Sequence, residues 1–299
     1  MSDSIALPAS MSGSAPTTPP IIGVFDSGFG GLTVLKALLD VIPEAEYLYF
    51  GDTARLPYGS KSAETVARYA CEAARFLEQQ GAERLVIACN TATALALNQI
   101  NGAASVPVIG VIEPGAQRAA AVSKSRRVVV IGTEATVCSH AYQNALAAIQ
   151  VESREKACPL LVPLVEEGWI DTAVTEQVAR IYLEEAFTDG FHAADVLLLG
   201  CTHYPLLKPL LHRVAPPNVE LVDSAESTAL VVRELLMSAV DDMGRRGRRL
   251  LRASAGLAPA GRDPQIRFFV TDSTEKFRRL GALFLGRPID HITHVDLKE

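Results

Sequence analysis

The 299-residue sequence lacks an excess of positive charge, with 28 Lys and Arg against 34 Asp and Glu and a formal net charge of −6. That balance argues against wholesale nucleic-acid binding, which needs a basic face. It also means that an anionic substrate must be held by something other than bulk positive charge. Cysteine is sparse and odd in number: Cys71, Cys89, Cys138, Cys158 and Cys201 are widely spread, with no CxxC pair. No disulfide framework or zinc ribbon can be read from them, and a reducing, cytoplasmic setting is expected. The first twenty residues hold no Lys or Arg and no long apolar run, so no secretory signal is expected there. Residues 1–19 read instead as a disordered tail. No apolar run approaches the roughly 18 residues that span a membrane.

What is present is ordinary globular composition, 48% apolar and 21% charged, in a chain long enough for about two domains. From Ile21 short apolar runs alternate with helical patterns. The runs are Ile21–Phe25, Tyr47–Phe50, Leu85–Ala88, Val108–Ile112, Val128–Ile131, Val196–Leu199, Glu220–Val222 and Phe268–Val270. Most are continuously apolar, as in parallel strands covered on both faces. Leu32–Leu39, Ala63–Gln79, Ala92–Asn98, Thr175–Ala186 and Ser227–Met237 read as helices. The alternation predicts an α/β sandwich with mainly parallel sheets and right-handed crossovers. Residues 241–266 break the pattern with five arginines between 245 and 252, then Ala, Gly and Pro. They read as a solvated loop, with a nucleic-acid or partner contact as the sharper alternative.

In such sheets ligands sit outside the carboxyl ends of the strands. Two of those ends resemble each other: Leu85-Val-Ile-Ala-Cys89-Asn-Thr and Val196-Leu-Leu-Leu-Gly-Cys201-Thr-His each place a cysteine between an apolar strand and a helix start. A lone buried cysteine is usually a small core hydrophobe, and that reading suits Cys71, Cys138 and Cys158. At Cys89 and Cys201, free backbone N–H groups and the helix dipole favour a thiolate. Asp26 is either a helix cap or a functional carboxylate beside the crowded Gly28, Gly30 and Gly31, where a ligand approaches backbone closely. The glycines are not a dinucleotide fingerprint, which would need glycine where Thr33 stands. Asp272-Ser-Thr-Glu275 reads as a capping box, and Asp223 as a possible cap. His203 is either structural or a proton partner of Cys201. Glu166 taken alone is a surface carboxylate. A cysteine hydrolase needs one nucleophile and a histidine base, which leaves the second thiol without a task. Two like groups on opposite faces of a carbon suit inversion: one removes a proton and the other delivers one. Ser, Thr and Asn side chains with helix N-termini would hold a carboxylate without arginines.

The chain resembles the glutamate racemases, cofactor-independent members of the aspartate/glutamate racemase superfamily. The resemblance rests on GVFDSGFGGLTVLK (23–36), YFGDTARLPYGSKS (49–62), LVIACNTATA (85–94), PVIGVIEPG (107–115), VVVIGTEATV (128–137), CPLLVPLVEEG (158–168), LLLGCTHYPLL (197–207), VDSAEST (222–228) and FFVTDSTEKFRRLGALFLG (268–286). It implies two pseudo-symmetric α/β domains with the active site between them: 20–113 with 225–299, and 114–224. It implies Cys89 and Cys201 as the acid/base pair, assisted by Asp26 and His203. Asp26, Ser27, Tyr58, Gly59, Asn90, Thr91, Thr202 and His203 would line the glutamate site, with Thr133, Thr136 and Glu166 near it. The product, D-glutamate, would feed peptidoglycan synthesis. No pyridoxal phosphate, metal or nucleotide is needed. The expected setting is a cytoplasmic homodimer handling a small molecule, with no nucleic-acid or membrane partner. A racemase for aspartate or another acidic amino acid, and a non-catalytic binder of one, are the rival readings.

Overall fold

The computed structural model describes residues 19–242 and 265–297. The N-terminal tail and most of the Arg-rich segment lie outside the described residues. In chain order the elements are β1 (Ile21–Asp26), α1 (Leu32–Val41), β2 (Glu46–Gly51), α2 (Ala63–Gln79), β3 (Arg84–Ile87), α3 (Asn90–Ala103), β4 (Val108–Gly110) and α4 (Ile112–Val122). These are followed by β5 (Arg127–Gly132), α5 (Glu134–Cys138), α6 (Ala141–Ala148), β6 (Glu152–Ala157), α7 (Leu161–Glu166), α8 (Ala173–Ala186) and β7 (Val196–Gly200). The last are α9 (Lys208–Val214), β8 (Glu220–Asp223), α10 (Ser224–Asp242), β9 (Ile266–Val270), α11 (Thr274–Leu285) and β10 (Ile292–His294).

The strands form two sheets. One has the order β10-β9-β2-β1-β3-β4, the other β6-β5-β7-β8, and every pairing is parallel. The apolar runs explain this directly. On β1, Val24 packs into one buried cluster and Phe25 into another; on β7, Leu197 and Leu198 divide in the same way. Strands buried on both faces must be apolar at consecutive positions. One cluster runs through both halves, from Ile22 and Val24 of the first sheet to Leu197 and Leu199 of the second. Among the described residues no helix is long and apolar enough to cross a membrane.

The structure corrects several boundaries. β4 stops at Gly110, and Ile112, read as strand, opens α4. Pro114 and Gly115 disguise that helix in the sequence, yet proline is tolerated in a first turn, whose N–H groups have no intrahelical partner. β6 is polar because it is an edge strand, and its charges protect that edge. The cap of α11 is Ser273, whose side chain accepts from the Lys276 N–H, rather than Asp272. Asp223 is a cap, accepting from the N–H groups of Ala225 and Glu226. Cys138 is exposed and not a core residue.

The contrast between a central and an edge strand is measurable. Leu199→Ala in β7 should cost about 2–5 kcal/mol, as a cavity opens in a fully buried layer. Arg154→Ala in β6, which breaks a surface ion pair with Asp189, should cost about 1 kcal/mol or less. Urea unfolding of both variants checks the ranking, and equal losses would contradict this placement of the core.

Candidate active site

The carboxyl ends of the central strands bring the site together. Asp26 closes β1, Ala88 and Cys89 follow β3, Thr133 follows β5 and Cys201 follows β7. The cavity between them is lined by Ser27, Tyr58, Gly59, Cys89, Asn90 and Thr91 from the first half. Thr133, Glu166, Cys201, Thr202 and His203 line it from the second. Asp26 and Thr136, also singled out in the sequence, stand just behind this lining. Thr136 places its hydroxyl 3.0 Å from that of Thr133 and 3.3 Å from that of Thr91. A larger cleft of about 560 Å³ lies elsewhere, between α3, β4 and α4, but the thiols, the imidazole and the carboxylates converge on the smaller cavity.

Cys89 is the N-cap of α3. Its sulfur accepts from the Ala92 N–H at 3.4 Å, and its thiol donates to Ser27 Oγ at 3.5 Å. Burial pushes the thiol pKa up to about 12, the Asp26 charge adds to this, and the contacts with Ser27 and Ala92 only partly offset it. Asp26 is itself buried. Its Oδ2 accepts from the Gly28 N–H at 2.9 Å, while Oδ1 has no partner. Burial raises its pKa despite backbone donors and the charge of His203. Asp26 does not cap α1, whose N-cap is Gly31 with no side-chain bond.

Cys201 has a different partner. Its Sγ lies 3.9 Å from His203 Nδ1, and His203 Nε2 lies 3.1 Å from Glu166 Oε1. Burial alone would lower the imidazolium pKa. Hydrogen bonds and charge from Cys201 and Glu166 outweigh it and raise the value to about 10. Glu166 is therefore not a bare surface carboxylate. The Phe284 ring meets the imidazole edge-on at 5.1 Å.

The His203 imidazolium is a cation on the walls, but among the described residues no Lys or Arg lines the cavity. Three threonine hydroxyls, an amide and the first turn of α3 supply donors instead. Among the described residues no group of three or more His, Cys, Asp or Glu side chains has the arrangement of a metal site.

Sequence reading missed the supports. The Tyr58 hydroxyl donates to the buried Asp52 carboxylate, which also receives Arg55 Nε and the Thr271 hydroxyl. Asp52 lies in a quoted motif, but its partner Thr271 is 219 residues away. Gly28, Leu56, Pro57 and Val162 complete the walls. Tyr142 reaches Asn90 from the other half.

Two sheets that each present one thiol to a shared cavity have the layout that inversion of a carbon centre between opposed groups calls for, which points to the racemases and epimerases as a class. Known proteins agree. The sequence profile of the Asp/Glu/Hydantoin racemase family matches residues 32–232. A glutamate racemase of Koribacter versatilis is 60% identical, with 93% of this chain and 98% of that protein covered. Among solved structures, a glutamate racemase isoform of Bacillus anthracis superposes with a TM-score of 0.81 at 36% identity, covering 94% of this chain and 99% of that one. The glutamate racemase of Francisella tularensis, solved with D-glutamate, gives 0.78 at 35% identity, covering 94% and 98%. The chain belongs to the Asp/Glu/Hydantoin racemase family and, within it, to the glutamate racemases.

The imidazole provides a test of the site's electrostatics. Because Glu166 raises the His203 pKa, Glu166→Gln should move its titration midpoint down from about 10, read by NMR of the ring protons. A folded pKa above the ordinary histidine value of 6.5 stabilises the fold fully below that pH, and the benefit fades as pH rises towards 10. Melting temperature should accordingly fall less steeply across that window in Glu166→Gln than in the unaltered protein. An unmoved midpoint would separate Glu166 from the imidazole.

Proposed function

We propose that this chain interconverts L- and D-glutamate by proton transfer between two thiols. The observation that carries the reading is that Cys89 and Cys201, from different sheets, line one cavity, each with its own proton-managing partner. One thiolate removes the α-proton from one face of the substrate. The electron pair left on the α-carbon is shared with the carboxylate. The opposite thiol then gives its proton to the other face. The product is the enantiomer, and the two sulfurs have exchanged roles. The substrate's ammonium group brings a positive charge beside the thiols, which lowers the cost of ionising Cys89.

Cys89 acts on D-glutamate and Cys201 on L-glutamate, with Asp26 and His203 as their respective partners. Ser27, Tyr58, Gly59, Asn90, Thr91, Thr133, Thr136, Glu166 and Thr202 hold or border the substrate. The chain divides into 20–113 with 225–299, and 114–224. The strand membership of the two sheets supports that division. A homodimer in the cytoplasm, supplying D-glutamate for peptidoglycan, completes the reading. Chiral chromatography after incubation with either enantiomer tests it: both should reach the racemate without added cofactor. Activity on aspartate but not on glutamate would overturn it, and so would binding with no inversion.

Two further outcomes follow from the division of labour. In deuterated water, label should enter the product enantiomer at early times while recovered substrate stays unlabelled, because the incoming proton belongs to the thiol that has exchanged with solvent. Cys89→Ser and Cys201→Ser should each cripple both directions, since each thiol is the base of one direction and the acid of the other. Near wild-type inversion by Cys201→Ser would refute the two-thiol assignment. Asp26→Asn should lower kcat by on the order of 10²–10⁴, the usual range for lost acid–base assistance. A rise in KM alone would make Asp26 a binding residue.

A further inference from the structure

We propose that Tyr142 is a positioning residue for this reaction: its hydroxyl, reaching across from the second half, fixes the Asn90 amide so that Nδ2 is left as a donor for a substrate carboxylate. The inference rests on the racemase reading above. Tyr142, on α6, is fully buried, and its hydroxyl donates to Asn90 Oδ1 at 2.7 Å across 52 residues of sequence. Asn90 directly follows Cys89, is itself buried and lines the cavity.

The other end of the amide is what makes the contact informative. Asn90 Nδ2 is buried and has no partner among the described residues. Such an orphan donor is uncommon and costs stability, so a site that keeps one holds it for a ligand. An amide has one accepting and one donating end. A phenol that occupies the oxygen leaves only N–H groups for the cavity. Their natural acceptor is a carboxylate oxygen, and among the described residues no Lys or Arg on the walls competes for it. Burial pushes the phenol pKa well up, so the hydroxyl remains a donor throughout the working pH range.

The ring is held as firmly as the hydroxyl. A Cβ at Gly200 would lie 2.8 Å from Tyr142 Cε2, so that glycine, one residue before Cys201, admits the ring. Tyr142 thus touches the strand that delivers one thiol and hydrogen-bonds the residue beside the other. The bond forms only when the two halves are seated together, so the amide is oriented in the same arrangement that completes the site.

The test is steady-state kinetics in both directions for the unaltered enzyme, Tyr142→Phe, Asn90→Ala and the double variant. Tyr142→Phe removes only the hydroxyl. It should raise KM for both enantiomers roughly tenfold, the lower range for losing a hydrogen bond to a charged group. Its kcat should stay near wild type, the signature of lost uniform binding. In the Asn90→Ala background the same change should have no further effect on KM. A residue that merely fills space would leave KM unmoved, or would show its full effect without Asn90, and either result overturns the proposal. Should Tyr142→Phe not fold, NMR of the unaltered protein still decides. The Asn90 side-chain amide signal, identified by its loss in Asn90→Ala, should shift when glutamate is added, and an unmoved signal also overturns the proposal. An unaltered enzyme inactive on glutamate would instead remove the racemase reading itself.

Discussion

The seam where the 26–33 turn meets the 201–203 loop is the contact on which the rest of the site depends. A Cβ at Gly30 would lie 2.2 Å from Thr202 Oγ1 and 2.5 Å from His203 Nδ1, so only a bare backbone fits there. Beside it the Thr33 hydroxyl is shared between Gly30 O and Thr202 O, at 2.9 and 3.0 Å. The second of these bonds links residues 169 apart in sequence. Each sheet by itself positions one thiol at a strand end. This seam, with the Thr91 hydroxyl against Thr133 and Thr136 and the Tyr142–Asn90 bond, makes the two thiols walls of one cavity.

Closing that seam has an electrostatic cost. Burial drives the Cys89 thiol and the Asp26 carboxyl towards their neutral forms. An empty site is therefore unfavourable to the charges that proton transfer requires. It also holds unpaired polar atoms, Asp26 Oδ1 and Asn90 Nδ2. Asn90 stands on the cavity wall, so its amide is the one of the two that a carboxylate entering the cavity can satisfy. Binding there would relieve desolvation that folding left behind, and the relief goes to a ligand that carries a carboxylate. A neutral analogue forfeits it.

Much of this was legible in the sequence, for a physical reason. Strands covered on both faces must be apolar throughout, so β1, β3, β5 and β7 stand out, and the polar residues at their ends mark the site. β6 was invisible because an edge strand is under no such pressure: ESREKA alternates nothing and buries little. α4 was hidden by Pro114 and Gly115, residues that signal a break in mid-helix but not in a first turn. Cys89, Cys201 and His203 announced themselves by position. Asp52, Tyr142 and Phe284 did not. Each acts through a partner far along the chain, at Thr271, Asn90 and His203 respectively, and local pattern carries no trace of such contacts.

The two thiols are alike, but their partners are not. Cys89 stands beside a buried carboxyl, Cys201 beside an imidazole backed by Glu166. It is tempting to expect one direction of inversion to be favoured. Thermodynamics forbids it in the second-order rate. Enantiomers have equal free energy in water, so their equilibrium constant is unity and kcat/KM must be equal in the two directions. The asymmetry of partners can therefore appear only as matched differences in kcat and KM between enantiomers. A change confined to one thiol's surroundings must still alter kcat/KM for both enantiomers by one common factor, because the equilibrium constant stays at unity. On the proposed two-thiol route the unlike partners can therefore change only how tightly each enantiomer waits in the site, while the barrier between them is common to both directions.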